Sequence, residues 1–143
     1  MILDFLPAVT QWASAQPDII ALALVGSYAR GKATESSDID LVILTSNPGR
    51  YLDEPGWIKC FGQVEKQQVE DWGMVTSLRV WYADGREVEF GLTTPAWAAH
   101  PIDEGTRRVV ADGIKVLFER AGCLTSLIKW ADSYADKSSS RSS

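Results

Sequence analysis

Apolar and polar positions follow two rhythms along this chain. Ile2, Phe5, Leu6, Val9, Trp12 and Ala13 recur at helical spacing. They predict an amphipathic helix that stops near Gln16-Pro17, where proline disfavours continuation, and that covers one face of a sheet. Ile19 to Val25 is an unbroken apolar run of strand length, as in a strand buried on both faces. Gly26-Ser27 interrupts it. Ser27 to Ala33 then predicts a short helix, Thr34 to Ser37 a polar loop, and Asp38 to Leu44 a second strand. On that strand Ile39, Leu41 and Ile43 face the core.

The rest of the chain is read in the same way. Asn47-Pro48-Gly49 is a turn signal. Arg50 to Phe61 predicts a helix with Tyr51, Leu52, Trp57 and Ile58 facing inward, interrupted by Pro55-Gly56. Gln63 to Glu70 is a strand of poor alternation, and Met74 to Tyr82 one of better alternation. Ala83-Asp84-Gly85-Arg86 carries the Asp-Gly hairpin signal, and Glu87 to Thr93 returns. Thr94-Pro95 opens a short helix that ends near His100-Pro101. Asp103 caps a further helix containing Val109-Val110, with Gly113 just past its end. Ile114 to Phe118 is a short strand, and Leu124 to Tyr134 a last helix with Leu127, Ile128 and Trp130. One domain is expected over residues 1–135, and the serine-rich stretch 136–143 is expected to be disordered. This order of elements predicts an α/β (α+β) domain: a mixed sheet flanked by helices.

Bulk composition narrows the function. A chain of 143 residues, 45% hydrophobic and 23% charged, suits one globular domain with a real core. A net charge of −5 argues against an extended nucleic-acid surface, which needs a basic face. Cys60 and Cys123 form no motif, so a reduced, cytoplasmic protein is the simpler reading. The first residues lack the basic region of a signal peptide, and no apolar stretch is long enough to span a membrane.

Candidate chemistry gathers between residues 22 and 44. Glycine at a strand end permits close approach of a ligand, and a following helix offers free N–H groups to a phosphate. Gly26 and Ser27 occupy such a turn; Arg30 or Lys32 would add charge. Asp38 and Asp40, two apart on a strand, share one face. Two carboxylates held together call for a cation, and Mg²⁺ prefers oxygen ligands and accompanies substrate phosphates. The bland alternative is an exposed acidic strand end; the apolar character of the strand weighs against it. A P-loop is disfavoured, because Ala33 stands where that motif needs Ser or Thr and Thr34 comes one residue late.

Gly26-Ser27, ten residues, then Asp38-Ile39-Asp40 resembles the signature of the DNA polymerase β-like nucleotidyltransferase superfamily. The match is closest to its minimal nucleotidyltransferases, through GSYARG followed by SDIDLVIL. The resemblance implies a nucleotidyltransferase fold, with Ser27 contacting the triphosphate and Asp38 and Asp40 binding two metal ions. It also implies a third carboxylate on a later strand. Glu89, between Val88 and Phe90, fits that place; Glu87 on the same strand face competes. The expected site is therefore Asp38, Asp40 and Glu89 as catalytic and metal-binding residues, with Gly26, Ser27 and Arg30 on the nucleotide. Glu89 is also the candidate to accept the acceptor's proton.

The implied activity is Mg²⁺-dependent transfer of a nucleoside monophosphate, AMP from ATP by family analogy, to a hydroxyl acceptor with release of pyrophosphate. Nothing in the sequence reads the base. The acceptor is a small molecule or a protein, and too few residues remain for the acceptor-binding helical domain of larger relatives. The acceptor is therefore expected to bind at a homodimer interface or to belong to another protein. Two rival readings stand beside this one. One is an antitoxin-like partner of a HEPN-domain toxin, acting by AMP transfer to its tyrosine. The other is a nucleotide-binding pseudoenzyme. His100 reads as a surface residue, Trp12, Trp57, Trp81 and Trp130 as core, and Arg107-Arg108 as a solvated helix face.

Overall fold

The computed structural model describes residues 2–34, 37–98 and 104–129. The expectations for His100, Asp103, Trp130 and the 136–143 tail lie outside them. Helix α1 (Ile2–Ser14) precedes strand β1 (Ile19–Val25) and the single turn α2 (Gly26–Ala29). Strand β2 (Ile39–Thr45) leads to α3 (Pro48–Asp53) and a 3-10 helix (Pro55–Phe61). Strands β3 (Val64–Asp71), β4 (Thr76–Tyr82) and β5 (Glu87–Thr93) follow, then a 3-10 helix (Pro95–Ala98). Helix α4 (Glu104–Asp112), strand β6 (Ile114–Glu119) and helix α5 (residues 123–129) complete the described chain.

All six strands join one mixed sheet in the order β3-β4-β5-β2-β1-β6. The β2–β5 pair is parallel, and its neighbours are antiparallel. Each face of the sheet carries its own core. On one face Leu22, Leu24, Ile39, Leu41, Ile43 and Phe90 pack beneath Phe5, Val9, Tyr51 and Ile58. Aromatic rings knit this layer together: Trp12 stacks on Trp57 at 4.8 Å, and Trp57 meets Phe90 edge-on. The buried Tyr82 hydroxyl donates to the Ile58 carbonyl at 2.8 Å. On the other face Ala21, Ala23, Val42 and Leu44 lie beneath Trp97, Val110, Leu124 and Leu127.

Two differences from the sequence reading have clear causes. The helix expected over Arg50 to Phe61 is split, because Pro55 cannot continue α3, and the chain resumes as a 3-10 turn. Strand β4 starts at Thr76 rather than at Met74. A tight turn holds the preceding residues: the Trp72 N–H donates to the Val75 carbonyl and the Gly73 N–H to Asp71 Oδ1. Thr93 Oγ1 donates to the Met74 carbonyl and ties that turn to β5.

The second face is covered unevenly. Helices shield it over β1 and β2. Over β4 and β5 it carries Arg79, Ser77, Glu89 and Gly91, which line an open cavity of about 510 Å³.

Candidate active site

Sheet register assembles the site. Asp40 on β2 is the direct partner of Glu89 on β5, and Glu89 is the partner of Arg79 on β4. Asp40 also faces Val25 on β1, the residue just before Gly26. Three strands and the α2 turn therefore meet at Asp40. Asp38 lies one residue ahead of β2 and reaches the same cluster through Arg79.

Gly26 is fitted to this contact. Its φ of +74° belongs to the left-handed region that favours glycine. A Cβ there would overlap Asp40 Oδ2. The signature glycine is thus required twice: by its backbone, and by the carboxylate lying against it.

Arg79 is the cation at the centre. Its Nη1 lies 3.0 Å from Asp38 Oδ2 and 2.5 Å from Glu87 Oε2. Its Nε lies 2.9 Å from Glu70 Oε1, and its Nη2 3.4 Å from Glu89 Oε2. Only 17% of this side chain is exposed. Burial alone would lower its pKa, but hydrogen bonds to Glu70, Glu87 and Asp38 outweigh that and hold it protonated. Two indoles fix the glutamates from the other side. Trp72 Nε1 donates to Glu89 Oε1 at 3.0 Å, and Trp81 Nε1 to Glu87 Oε1 at 2.8 Å. The Trp81 ring in turn carries Lys66, 4.9 Å above it. Trp81 is therefore part of the site's support and only partly buried.

One guanidinium does not neutralise these acids. Burial, and then the facing Glu89 carboxyl, push Asp40 up to about 7. Burial and Glu87 raise Asp38, against the opposing pull of Arg79. The cluster therefore favours positive charge. Its donors are carboxylate oxygens, the type that Mg²⁺ takes, and Arg79 already stands among them as a cation. By donor type and charge, Asp38, Asp40 and Glu89 fit a divalent ion. Among the described residues, no three acidic, histidine or cysteine side chains converge on one ion position. A shared ion thus needs Arg79 to withdraw and the carboxylates to turn inward. Both Glu87 and Glu89 are held by Arg79, but only Glu89 is in register with Asp40.

Arg30 and Gly26 line the same cavity as Asp40 and Glu89. Ser27 sits in α2, next to Gly26. The Arg107 and Arg108 side chains pair with Glu104 on the surface of α4. The sequence reading missed two residues that hold the carboxylates, Arg79 and Trp72. Arg79 reads as an ordinary polar position of an alternating strand. The signal available for it was its place on β4, opposite the glutamates of the hairpin.

A family model and several known proteins are similar to this chain. A family model described as nucleotidyltransferase domain matches residues 9–84. A protein of Methanocaldococcus jannaschii, assigned as a protein adenylyltransferase, is 51% identical over 37 residues, a quarter of each chain. The crystal structure of an aminoglycoside 6-adenyltransferase from Bacillus subtilis superposes with a TM-score of 0.55 at 14% identity. That match covers 77% of this chain and 38% of the other, so this chain spans well under half of that protein's length. A nucleotidyltransferase-like protein from Exiguobacterium sibiricum matches at a TM-score of 0.49 and 16% identity, over 92% of this chain and 39% of the other. No helix among the described residues is long and apolar enough to cross a membrane.

Proposed function

Since the chain belongs to the nucleotidyltransferase domain family, we propose that it transfers AMP from ATP to a hydroxyl acceptor and releases pyrophosphate. The observation that carries this reading is the register pairing of Asp40 with Glu89, beside a glycine whose Cβ would displace the Asp40 carboxylate. Gly26, Ser27 and Arg30 would hold the triphosphate at the end of β1. Asp38, Asp40 and Glu89 would hold Mg²⁺, two ions by family analogy. Bound there, Mg²⁺ would stabilise negative charge on the oxygens of the transferring group.

The chain's own residues have separable tasks. The strand pair β2–β5 sets the backbones of Asp40 and Glu89 opposite one another before substrate arrives, and their side chains would turn from Arg79 toward a bound ion. Arg79 keeps the acids together without substrate. Trp72 orients Glu89, which would accept the proton of the acceptor hydroxyl. The bond formed joins the acceptor oxygen to the α-phosphorus; the bond broken releases pyrophosphate.

A protein acceptor is favoured by two observations. The M. jannaschii relative is assigned as a protein adenylyltransferase. In addition, Trp72 and Met74 line the cavity beside the carboxylates and form an exposed apolar lip, at 62% and 40% exposure. Such a lip suits a macromolecular surface. A HEPN-type toxin is one protein of that kind.

The test is a thermal-shift titration. Mg²⁺ and ATP together are expected to raise the melting temperature, and Asp40→Asn to remove the shift. No shift with any nucleotide at millimolar metal would overturn the reading. A shift without any transferred label would leave a nucleotide-binding pseudoenzyme.

A further inference from the structure

The carboxylates fill only one end of the cavity. Its volume of about 510 Å³ falls within the roughly 300–1,000 Å³ common for ligand pockets. Beyond Asp40 the floor is Val42 and Gly91, and α4 supplies a wall with Val109 and Thr106. Trp97 closes that side. Apart from Arg30, Ser77, Asp112 and Thr106, the side chains beyond the carboxylates are apolar.

Thr106 is 1% exposed, and its hydroxyl has no hydrogen-bond partner among the described residues. A buried hydroxyl without a partner is destabilising, because it has given up water and gained nothing. Valine has the same shape and avoids that cost, so packing gives no reason for the oxygen. A ligand entering the cavity gives one.

Position along α4 indicates which ligand. Asp112, Val109 and Thr106 all line the cavity. Gly113, just past the helix, packs on Arg30 of the phosphate end: a Cβ there would lie 3.2 Å from Arg30 Cγ. From Asp112 back to Thr106 is six residues, about 9 Å along a helix. One nucleoside triphosphate can span from Arg30 to that wall. The opposite lip, Trp72 and Met74, remains for the acceptor.

We propose that the slot against α4 seats the base of the donor nucleotide, with the Thr106 hydroxyl hydrogen-bonded to the ring edge. This assignment rests on the nucleotidyl-transfer reading above. The base is held between apolar walls and read by a single polar contact.

The experiment is calorimetric titration of the full chain, with Mg²⁺, by ATP, GTP, CTP, UTP and inorganic tripolyphosphate. Wild-type protein should bind at least one nucleoside triphosphate more tightly than tripolyphosphate. Thr106→Val should weaken that nucleotide about tenfold, the effect of one lost hydrogen bond, and leave tripolyphosphate unchanged. Thr106→Ser should retain the affinity. Ligand-free Thr106→Val should melt at or above the wild-type temperature. Equal binding of nucleotides and tripolyphosphate by the wild type overturns the slot and needs no variant. So does a Thr106→Val protein that binds nucleotides as the wild type does. Wild-type protein that binds neither nucleotides nor tripolyphosphate overturns the transferase reading itself.

Discussion

Asp40 and Glu89 stand directly opposite one another across the parallel pair β2–β5. Like charges in facing positions are destabilising, and here the sheet register imposes them. Strand pairing cannot relax this contact, so the surroundings must answer it with a proton, with Arg79 or with a bound cation.

The proton leads to a pH dependence. The Asp40 pKa rises from 3.8 to about 7 on folding, first through burial and then through Glu89. Between those values the folded state binds more protons than the unfolded state, so stability falls as pH rises through this window. Asp40→Asn removes that loss. At pH 8 it should stabilise the metal-free protein by about 1–2 kcal/mol, after discounting for solvent screening. At pH 4 the difference should vanish. Urea denaturation at the two pH values checks this; equal gains at both would contradict it.

The guanidinium leads to a second prediction. Arg79→Met removes the common partner of Asp38, Glu70, Glu87 and Glu89. Stability should drop by about 2–4 kcal/mol at neutral pH, as when one member of a buried ion pair is deleted. The loss should shrink at pH 5, where Asp40 takes up a proton. Millimolar Mg²⁺ should recover part of it, and a larger share than it adds to the wild type. Melting curves with and without metal measure both effects. A variant indifferent to pH and metal would show that Arg79 does not balance this cluster.

The glycine of the signature should tolerate nothing larger. Gly26→Ala places a Cβ on Asp40 Oδ2 and strains a left-handed backbone. The expected cost is about 1–3 kcal/mol of stability and loss of most nucleotide binding, because Asp40 must move. Wild-type affinity in a folded Gly26→Ala protein would count against Asp40 as a site residue.

A control far from the site is Tyr82→Phe. It leaves the Ile58 carbonyl without its buried donor on the opposite sheet face. Stability should fall by about 1–2 kcal/mol, with nucleotide affinity unchanged. Denaturation and titration of the same preparation separate the two.

Much of this was legible in one dimension. Strands β1 and β5 lie where the apolar runs Ile19 to Val25 and Glu87 to Thr93 place them, because glycine, proline and an Asp-Gly turn bound those runs. That Gly26, Asp40 and Glu89 lie on one cavity was also expected, Asp40 from period-two geometry and Glu89 only through the family resemblance. Arg79 was not. Its partner Asp38 lies 41 residues away and reaches it only through the order β4-β5-β2. Trp72 sits on a turn whose form depends on a carboxylate and on a threonine of another strand. Thr106 looks like any polar helix residue until the cavity beside it is known. The break at Pro55 was signalled by the proline, but its 3-10 outcome follows from how Trp57 and Ile58 must reach the core.

The central claim is transfer of a nucleotide through this carboxylate cluster. It is tested most directly by incubating the full chain with Mg²⁺, cell lysate and ATP labelled at either the α- or the γ-phosphate. Label from the α-position should appear on an acceptor, label from the γ-position should not, and Asp40→Asn should abolish the product. Transfer of the γ-label, or α-label transfer undiminished in Asp40→Asn, would contradict the account.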